Sequence, residues 1–276
     1  MSHVIPLKQY GLIEASGVDA ETFLQGQLTC DVGKLTIGQS TVTAHCDPKG
    51  KVSAVFRLVR VGEQRFYLLF RTALLPAALD QLKKYAVFSK VGFTPLDYPL
   101  VGIIGDSDID AEIKIESKGC TILINPKSAV EFNADFTLWD LAEIQQGYPI
   151  LTDKTRLEFI PQALNLQYLE QAVSFQKGCY IGQETVARAK YRGANKRAMY
   201  ALQGQTDATA EIGGEIEMQL EGGWRKTGTI LSAVNFNGVL WLQVVMANQL
   251  EEEAKFRLKD APTALTLQPL PYSLNE

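Results

Sequence analysis

Cysteine and histidine are scarce in this chain of 276 residues, which has four cysteines and two histidines. The cysteines stand at positions 30, 46, 120 and 179, and no two are spaced as C-x-x-C. This spacing argues against a zinc site, and scattered cysteines do not form the framework of a disulfide-rich fold. We therefore expect reduced thiols and no stably bound metal.

Long apolar runs are also missing. The longest, such as 239–246, are far shorter than a membrane span, and the start of the chain lacks the apolar core of a signal peptide. No charge sign dominates, since 27 Lys and Arg face 31 Asp and Glu, which argues against a generic nucleic-acid coat protein. We expect a cytoplasmic protein that does not enter a membrane, and a monomer because no heptad pattern stands out.

The apolar pattern predicts an α+β region followed by a small β-barrel. Helices are predicted at 19–32, 74–87 and 138–146, and strands at 41–45, 52–61, 65–70, 100–104 and 121–125. The turn Asp47-Pro-Lys-Gly50 separates two β-rich runs and indicates a hairpin, so mainly antiparallel sheet is expected. The spacing of a closed barrel is seen in the short strands 197–202, 215–220, 227–234, 239–246 and 264–267. The predicted domains are 1–195 and 196–276.

The densest group of reactive residues is the motif Lys177-Gly-Cys-Tyr-Ile-Gly-Gln-Glu184. Cationic neighbours such as Lys177 and Arg188 favour the thiolate, which is the reactive form of a cysteine. A lone cysteine is otherwise a small buried apolar residue. The residues alone leave Cys179 open between a reactive thiol and a structural one.

The motif also begins a basic stretch. Residues 177–197 contain six Lys or Arg and one Glu, in a chain whose net charge is −4. Such a tract is often only a solvated face, but it can also bind a polyanion such as a phosphate, a polyglutamate tail or RNA. Tyr180 and Tyr191 offer rings on which bases can stack.

Several strings of residues resemble the YgfZ family of folate-binding, aminomethyltransferase-like proteins, which support iron–sulfur enzymes and tRNA modification. Besides the motif at 177–184, they are Phe23-Leu-Gln-Gly-Gln-Leu-Thr-Cys-Asp31, Ala44-His-Cys-Asp-Pro-Lys-Gly-Lys51, Lys84-Tyr-Ala-Val-Phe-Ser-Lys90, Phe159-Ile-Pro-Gln-Ala-Leu-Asn165 and the tail Pro269-Leu-Pro-Tyr-Ser-Leu-Asn-Glu276. The resemblance extends over nearly the whole chain. It implies two intertwined α+β units of ferredoxin-like character and a C-terminal β-barrel, arranged as a ring around a folate pocket.

The resemblance also implies site residues. The family's essential thiol falls on Cys179, with Lys177 and Glu184 in the same motif. The aromatic residues that flank the folate fall on Tyr10, where tryptophan is more usual, and on Trp139. A tryptophan on a helix is more often a core residue, so it is the resemblance that favours a ligand contact for Trp139.

Two glutamines complete the predicted folate site. Gln162 lies near the position of a glutamate that contacts the pterin in the related glycine-cleavage aminomethyltransferases, and Gln183 is expected to bind polar groups of the folate. Those enzymes also carry a catalytic acid in the second hairpin, whereas the equivalent stretch here, 49–56, has no carboxylate. A glutamine cannot act as a base, so the resemblance implies a folate pocket without aminomethyl transfer.

We therefore predict a cytoplasmic accessory protein that binds tetrahydrofolate or a one-carbon derivative, rather than an enzyme. It would support the assembly or maintenance of iron–sulfur enzymes, including those that thiolate tRNA, through the thiol of Cys179. That thiol would either ligate iron or sulfur transiently or form a mixed disulfide. Two alternatives stay open: a folate-dependent one-carbon transferase that uses Glu184 or Asp47, and an RNA-interacting regulator that uses residues 177–197.

Overall fold

The computed structural model describes residues 2–250 and 254–274. The α-helices are α1 (Ala20–Gln27), α2 (Leu75–Tyr85), α3 (Phe136–Gln145) and α4 (Gln183–Tyr191). The strands before α4 are β1 (His3–Pro6), β2 (Tyr10–Ser16), β3 (Ser40–Cys46), β4 (Val52–Gly62), β5 (Arg65–Arg71), β6 (Gly92–Leu96), β7 (Leu100–Ile104), β8 (Ala111–Ser117) and β9 (Cys120–Pro126). Those after it are β10 (Arg197–Gln205), β11 (Glu215–Leu220), β12 (Gly223–Phe236), β13 (Val239–Ala247), β14 (Phe256–Leu258) and β15 (Thr266–Gln268). The predicted α+β class is confirmed.

The chain divides into two units that each take several segments. Unit 1 comprises the residues up to His45 together with Ser53–Trp139 and Glu170–Ile181. Unit 2 comprises Cys46–Val52, Asp140–Leu169 and the residues from Gly182 onward. The motif at 177–184 therefore passes from unit 1 to unit 2 after Ile181. The division into domains at residue 195 stays a prediction.

Unit 1 is built on two antiparallel sheets. One has the strand order β3-β4-β5-β2-β6 and the other β1-β7-β9-β8, so the chain starts in the second sheet, builds the first and then returns. The paired strands run antiparallel, as between β2 and β5, β4 and β5, and β7 and β9. The central strand β5 is buried on both faces, which explains its unbroken apolar run Phe66-Tyr-Leu-Leu-Phe70. The expectation of mainly antiparallel sheet is confirmed.

Unit 2 contains the barrel. Its strands follow the order β14-β11-β12-β13-β10-β15. Backbone hydrogen bonds of 3.2 and 2.9 Å join the two ends of the sheet, between Phe256 in β14 and Leu265. Leu265 directly precedes β15. This bridge closes the sheet around a core that includes Leu202, Ile230, Leu242 and Val244 and confirms the predicted closed barrel.

Several elements differ from the pattern-based prediction. The first helix ends at Gln27, not near 32. The backbone of Leu28 is extended and forms an antiparallel bridge with His45 instead of continuing the helix. Helix α4 was not predicted, because its N-cap is Gly182 and no side chain of the described residues caps its first turn. Also unpredicted were β1, β2, β6, β8 and β14. No helix of the described residues is long and apolar enough to cross a membrane.

Candidate functional site

Lys177, the first residue of the motif, is a buried cation that holds the loop in place. Its Nζ donates hydrogen bonds to the carbonyls of Gln25 at 2.5 Å, Leu28 at 2.7 Å and Cys30 at 2.7 Å. The last carbonyls of a helix lack partners within the helix, and the end of α1 supplies acceptors that match the three protons of an ammonium group. The ring of Tyr180 lies 5.0 Å from Nζ, and burial lowers the pKa of Lys177 to about 8.

Cys179 lies between these inward-pointing neighbours and is exposed. Lys177 and Tyr180 are 9% and 7% exposed, and the amide of Ile181 donates to the carbonyl of Gly26 at 3.1 Å. The backbone on both sides of Cys179 is therefore fixed to the end of α1. The motif presents its thiol outward on an anchored loop.

The other three cysteines are buried. Burial raises the pKa of Cys30 to about 11, although a hydrogen bond from Thr43 and the charge of Lys177 act in the opposite direction. Burial also raises the pKa of Cys46. Because the thiolate is the nucleophile and the metal ligand, Cys179 is the cysteine that the fold makes available to a reagent.

The predicted influence of Lys177 on the thiol of Cys179 stays a prediction. In the structure, the ammonium group of Lys177 is hydrogen-bonded to three main-chain carbonyls. The buried thiol that its charge acts on is that of Cys30. The visible contribution of Lys177 is therefore to position the loop.

The second half of the motif, in unit 2, packs on the turn of the β3–β4 hairpin. Gly182 has φ +82° and directly precedes α4; a Cβ there would lie 2.6 Å from the carbonyl oxygen of Asp47 and 2.8 Å from Cα of Gly50. Gly50 has φ +75°, and a Cβ on it would lie 2.6 Å from Cβ of Thr185. Two glycines thus allow a close approach that other residues would block. The predicted site residue Gln183 is the first residue of α4.

Gln162 contacts the same helix from the 3₁₀ helix Pro161–Leu164. Its Nε2 donates to the carbonyl of Val186 at 2.7 Å, and the residue is 5% exposed. Its Oε1 is buried without a hydrogen-bond partner among the described residues. Buried acceptors are normally satisfied, so this unpaired oxygen is an exception among the described residues, which the Oε1 atom of Gln167 shares.

Two carboxylates named as candidates for transfer chemistry have structural partners. Asp47 Oδ1 accepts from the amides of Lys49 at 2.9 Å and Lys51 at 2.8 Å within its own turn. Glu184, on the exposed face of α4, forms an ion pair with Arg188. Both side chains therefore stabilise local structure where they stand.

The two predicted aromatic contacts lie in unit 1. Tyr10 begins β2, and the guanidinium carbon of Arg71 lies 5.0 Å from its ring centroid. Trp139, in α3, is 3% exposed and packs on Gly102, where a Cβ would lie 2.4 Å from Cε3 of the indole. Sequence analysis did not single out Gly102, although a glycine within a strand signals close approach by another group. The folate contacts of Tyr10 and Trp139 stay predictions.

Only part of the basic stretch 177–197 is exposed in the structure. Lys177 and Tyr180 are buried, so the stacking role considered for Tyr180 is wrong. Tyr191 is 69% exposed. The exposed basic residues are those of α4 and the segment after it: Arg188, Lys190, Arg192, Lys196 and Arg197. Across the described residues, no group of three or more His, Cys, Asp or Glu side chains could hold a metal ion.

The two interleaved sheets with a C-terminal barrel define the class of fold. The structure is similar to that of glycine cleavage system aminomethyltransferase T from Bartonella henselae, with a TM-score of 0.71 and 16% sequence identity over 99% of this chain and 86% of that one. The fold is therefore aminomethyltransferase-like.

Sequence comparison gives the family. Residues 195–261 match the family model described as YgfZ, beta-barrel domain. The chain is 39% identical to the tRNA-modifying protein YgfZ of Photorhabdus laumondii (99% of this chain, 93% of the relative) and 40% identical to that of Photobacterium profundum (99% and 92%). It is 56% identical over both full lengths to an uncharacterized protein of Haemophilus influenzae. The chain belongs to the YgfZ family, which confirms the resemblance found in its motifs.

Proposed function

We propose that this protein binds tetrahydrofolate, or a one-carbon derivative of it, and supports tRNA modification through the thiol of Cys179. Family relatives are named tRNA-modifying proteins. The observation that carries the proposal is the presentation of Cys179, which is exposed between the buried anchors Lys177 and Tyr180. The three main-chain hydrogen bonds of Lys177 fix the loop that carries this thiol.

The folate part of the proposal is supported by Gln162. Its buried Oε1 lacks a partner among the described residues, and a pteridine ring carries N–H groups that would donate to it. Gln183 opens the helix to which Gln162 is hydrogen-bonded. Tetrahydrofolate supplies a carrier of one-carbon groups when bound. Tyr10 and Trp139 remain part of the proposal through the family resemblance.

A one-carbon transferase is the weaker alternative. It needs a carboxylate that is able to act on the substrate, but Asp47 binds the amides of its own turn and Glu184 pairs with Arg188. We therefore propose that folate is bound without aminomethyl transfer. Formation of methylene-tetrahydrofolate from an aminomethyl donor by the purified protein would overturn this part.

The proposed partners rest on the family resemblance, with the exposed thiol as the group that would contact them. We propose that Cys179 acts transiently on iron–sulfur enzymes in the cytoplasm, including those that thiolate tRNA, and that the protein works as a monomer. An exposed thiol on an anchored loop suits brief contact with iron, sulfur or another thiol.

The thiol is tested in cells that lack the endogenous protein. Cys179→Ser should fail to restore the thiolated nucleosides of tRNA, measured by mass spectrometry, whereas the matched control Cys120→Ser should restore them because Cys120 is buried in β9. Full restoration by Cys179→Ser, at equal protein level, would contradict the proposed role of the thiol.

The folate site is tested by calorimetric titration with tetrahydrofolate. Gln162→Leu should weaken binding by about tenfold, the usual scale for one lost hydrogen bond to a buried group. Gln167→Leu is the control, since its Oε1 is also buried without a partner in the described part of the chain, and it should bind as the parent does. Trp139→Ala should weaken binding as well. Equal affinity in Gln162→Leu and the parent, or no binding to the parent, would contradict folate recognition at Gln162.

A further inference from the structure

The turn that follows α2 exposes its apolar side chains to an unusual degree. Phe88 is 100% exposed and Val87 is 72% exposed. Val18, in the connection between β2 and α1, is 70% exposed. Single exposed apolar residues are common, but adjacent ones with a polar rim, as Val87 and Phe88 are, can mark an interaction site. We call residues 86–90 the Phe88 turn.

The Phe88 turn is anchored at both ends. The amide of Ser89 donates to the carbonyl of Ala86 at 2.9 Å, at the end of α2. The amide of Lys90 donates to Oδ2 of Asp19 at 2.7 Å, and its carbonyl accepts from the amide of Asp19 at 3.3 Å. The apolar side chains are therefore displayed by backbone that hydrogen bonds hold in place.

The rim of the Phe88 turn carries more basic than acidic side chains. Lys83, Lys84 and Lys90 are exposed, and the one exposed acid of the same helix near them is Asp80, one turn before Lys84. The nearby carboxylate of Asp19 accepts the amide of Lys90. A polyanion is the partner that this charge complements.

The small apolar area of the turn, together with its lysines, favours a nucleic acid over a protein as the partner. A stable protein interface buries about 800 Å² on each partner, whereas one phenylalanine contributes about 150–250 Å². A single exposed ring beside cationic side chains is instead the arrangement on which single-stranded nucleic acids bind, because a base stacks on the ring while lysines bind the phosphates.

We propose that the Phe88 turn contacts single-stranded RNA. Phe88 stacks on an unpaired base, and Lys83, Lys84 and Lys90 bind the neighbouring phosphates. The inference rests on the proposed role in tRNA modification, because the unpaired nucleotides of a tRNA are the RNA that this role brings to the protein.

The test is fluorescence anisotropy with a labelled oligouridylate of about twelve nucleotides, within the usual site size of single-strand binders. Phe88→Ala should raise the Kd by about fivefold or more, the lower end of the effect of one stacked base. The variant with Lys83→Gln, Lys84→Gln and Lys90→Gln should reduce the slope of log affinity against log salt by about two. An unchanged slope would overturn the lysine contacts.

The control is a second exposed phenylalanine. Phe132 is 50% exposed and lies between Glu131 and Asp135 in the sequence, so Phe132→Ala should bind as the parent does. Equal Kd values for Phe88→Ala and the parent, or no binding by the parent, would overturn the inference. So would loss of binding only when Arg188, Lys190 and Arg192 are changed, since that places the RNA on α4.

Two further readouts separate this inference from the proposed function. Phe88→Ala should bind tetrahydrofolate as tightly as the parent, and Cys179→Ser should bind the oligouridylate normally. If Phe88→Ala lowers tRNA thiolation in cells without changing the Kd for RNA, the turn serves a protein partner and the inference fails while the proposed function stands.

Discussion

At the scale of single residues, adjacent residues of the motif at 177–184 differ in burial. Lys177 and Tyr180 point inward and are held by the end of α1, and Cys179 between them points outward. Burial of a charged group is costly unless hydrogen bonds satisfy it, and here the three carbonyls meet that requirement. The charge therefore holds the loop that carries the thiol.

Thiol reactivity should be concentrated in one residue. In the native protein, a thiol-specific disulfide reagent should label Cys179 rapidly and the buried Cys30, Cys46 and Cys120 only on unfolding. The time course of colour release measures this, and Cys179→Ser should lose the fast phase. A fast phase that survives in Cys179→Ser, or one that needs denaturant in the parent, would contradict the exposure described here.

Lys177→Met should destabilise the protein because two buried carbonyls and one partly buried carbonyl lose their donor. Each unsatisfied buried group costs about 1–3 kcal/mol, and relief of the buried charge offsets part of this, so we expect a loss of about 2 kcal/mol or more. Urea unfolding measures it. The exposed Lys8→Met is the control and should change the free energy of unfolding by less than about 0.5 kcal/mol. Equal stability of the two variants would refute the anchoring role.

Cys30 should make stability fall at alkaline pH. Burial raises the pKa of its thiol from 9.0 to about 11, so between these values the folded state binds more protons than the unfolded state. The free energy of unfolding then decreases as pH rises, by about 2–3 kcal/mol at pH 11. Unfolding curves of the parent and Cys30→Ala from pH 8 upward should diverge, with the parent losing more. Parallel curves would show that Cys30 does not contribute.

At the scale of elements, the contact between the hairpin turn and α4 depends on two glycines with positive φ. Gly182 and Gly50 face each other, and each would place a Cβ within 3 Å of the other segment. This contact brings together residues 44–51 and 177–184, which are far apart in the sequence. It also explains why α4 begins where it does.

Gly182→Ala should be strongly destabilising, whereas Gly178→Ala in the same motif should be nearly neutral. At 182 the φ of +82° is strained for alanine and the Cβ meets main-chain oxygen, while at 178 a Cβ would have nothing within 4 Å. We expect a loss of about 2 kcal/mol or more for Gly182→Ala and less than about 0.5 kcal/mol for Gly178→Ala, measured by urea unfolding. Similar losses for both would contradict the packing argument.

At the scale of the whole molecule, the C-terminal tail is tied to distant parts of unit 2. The hydroxyl of Tyr272 donates to the carbonyl of Gly147 at 3.0 Å and accepts from Nδ2 of Asn165 at 3.2 Å. The ring stacks on Tyr168 with centroids 5.6 Å apart. Asn165 in turn exchanges hydrogen bonds with the backbone of Met199 in β10. The tail therefore closes a network that begins in the barrel.

Tyr272→Phe should lower the free energy of unfolding by about 1–2 kcal/mol, because two hydrogen bonds of a partly buried hydroxyl are lost. Removal of the chain after Gln268 should lower it further, since the stacked ring is lost too. Thermal unfolding followed by circular dichroism measures both. Tyr191→Phe, at an exposed position, is the control; a tail deletion that melts with the parent would contradict the role of the tail.

Local patterns determined most of the elements. The β-rich runs of β3 and β4 around Asp47-Pro-Lys-Gly50, the helical spacing of α2 and the short strands after 195 were all visible from the chain. Strands such as β2 and β8 were missed because their half-buried pattern is set by partners far away in the sequence. Helix α4 was missed because its N-terminus is defined by a glycine contact rather than by a capping side chain.

The sequence by itself determined the class of fold, the barrel and the motif that carries the proposed thiol, because periodicity and residue type are local properties. Only the tertiary structure decided that Lys177 is buried while Cys179 is exposed, since the acceptors for Lys177 come from residues about 150 positions earlier. The same holds for the indole of Trp139 on Gly102 and for the unpartnered oxygen of Gln162. Which buried side chains find hydrogen-bond partners depends on the segments that folding brings beside them.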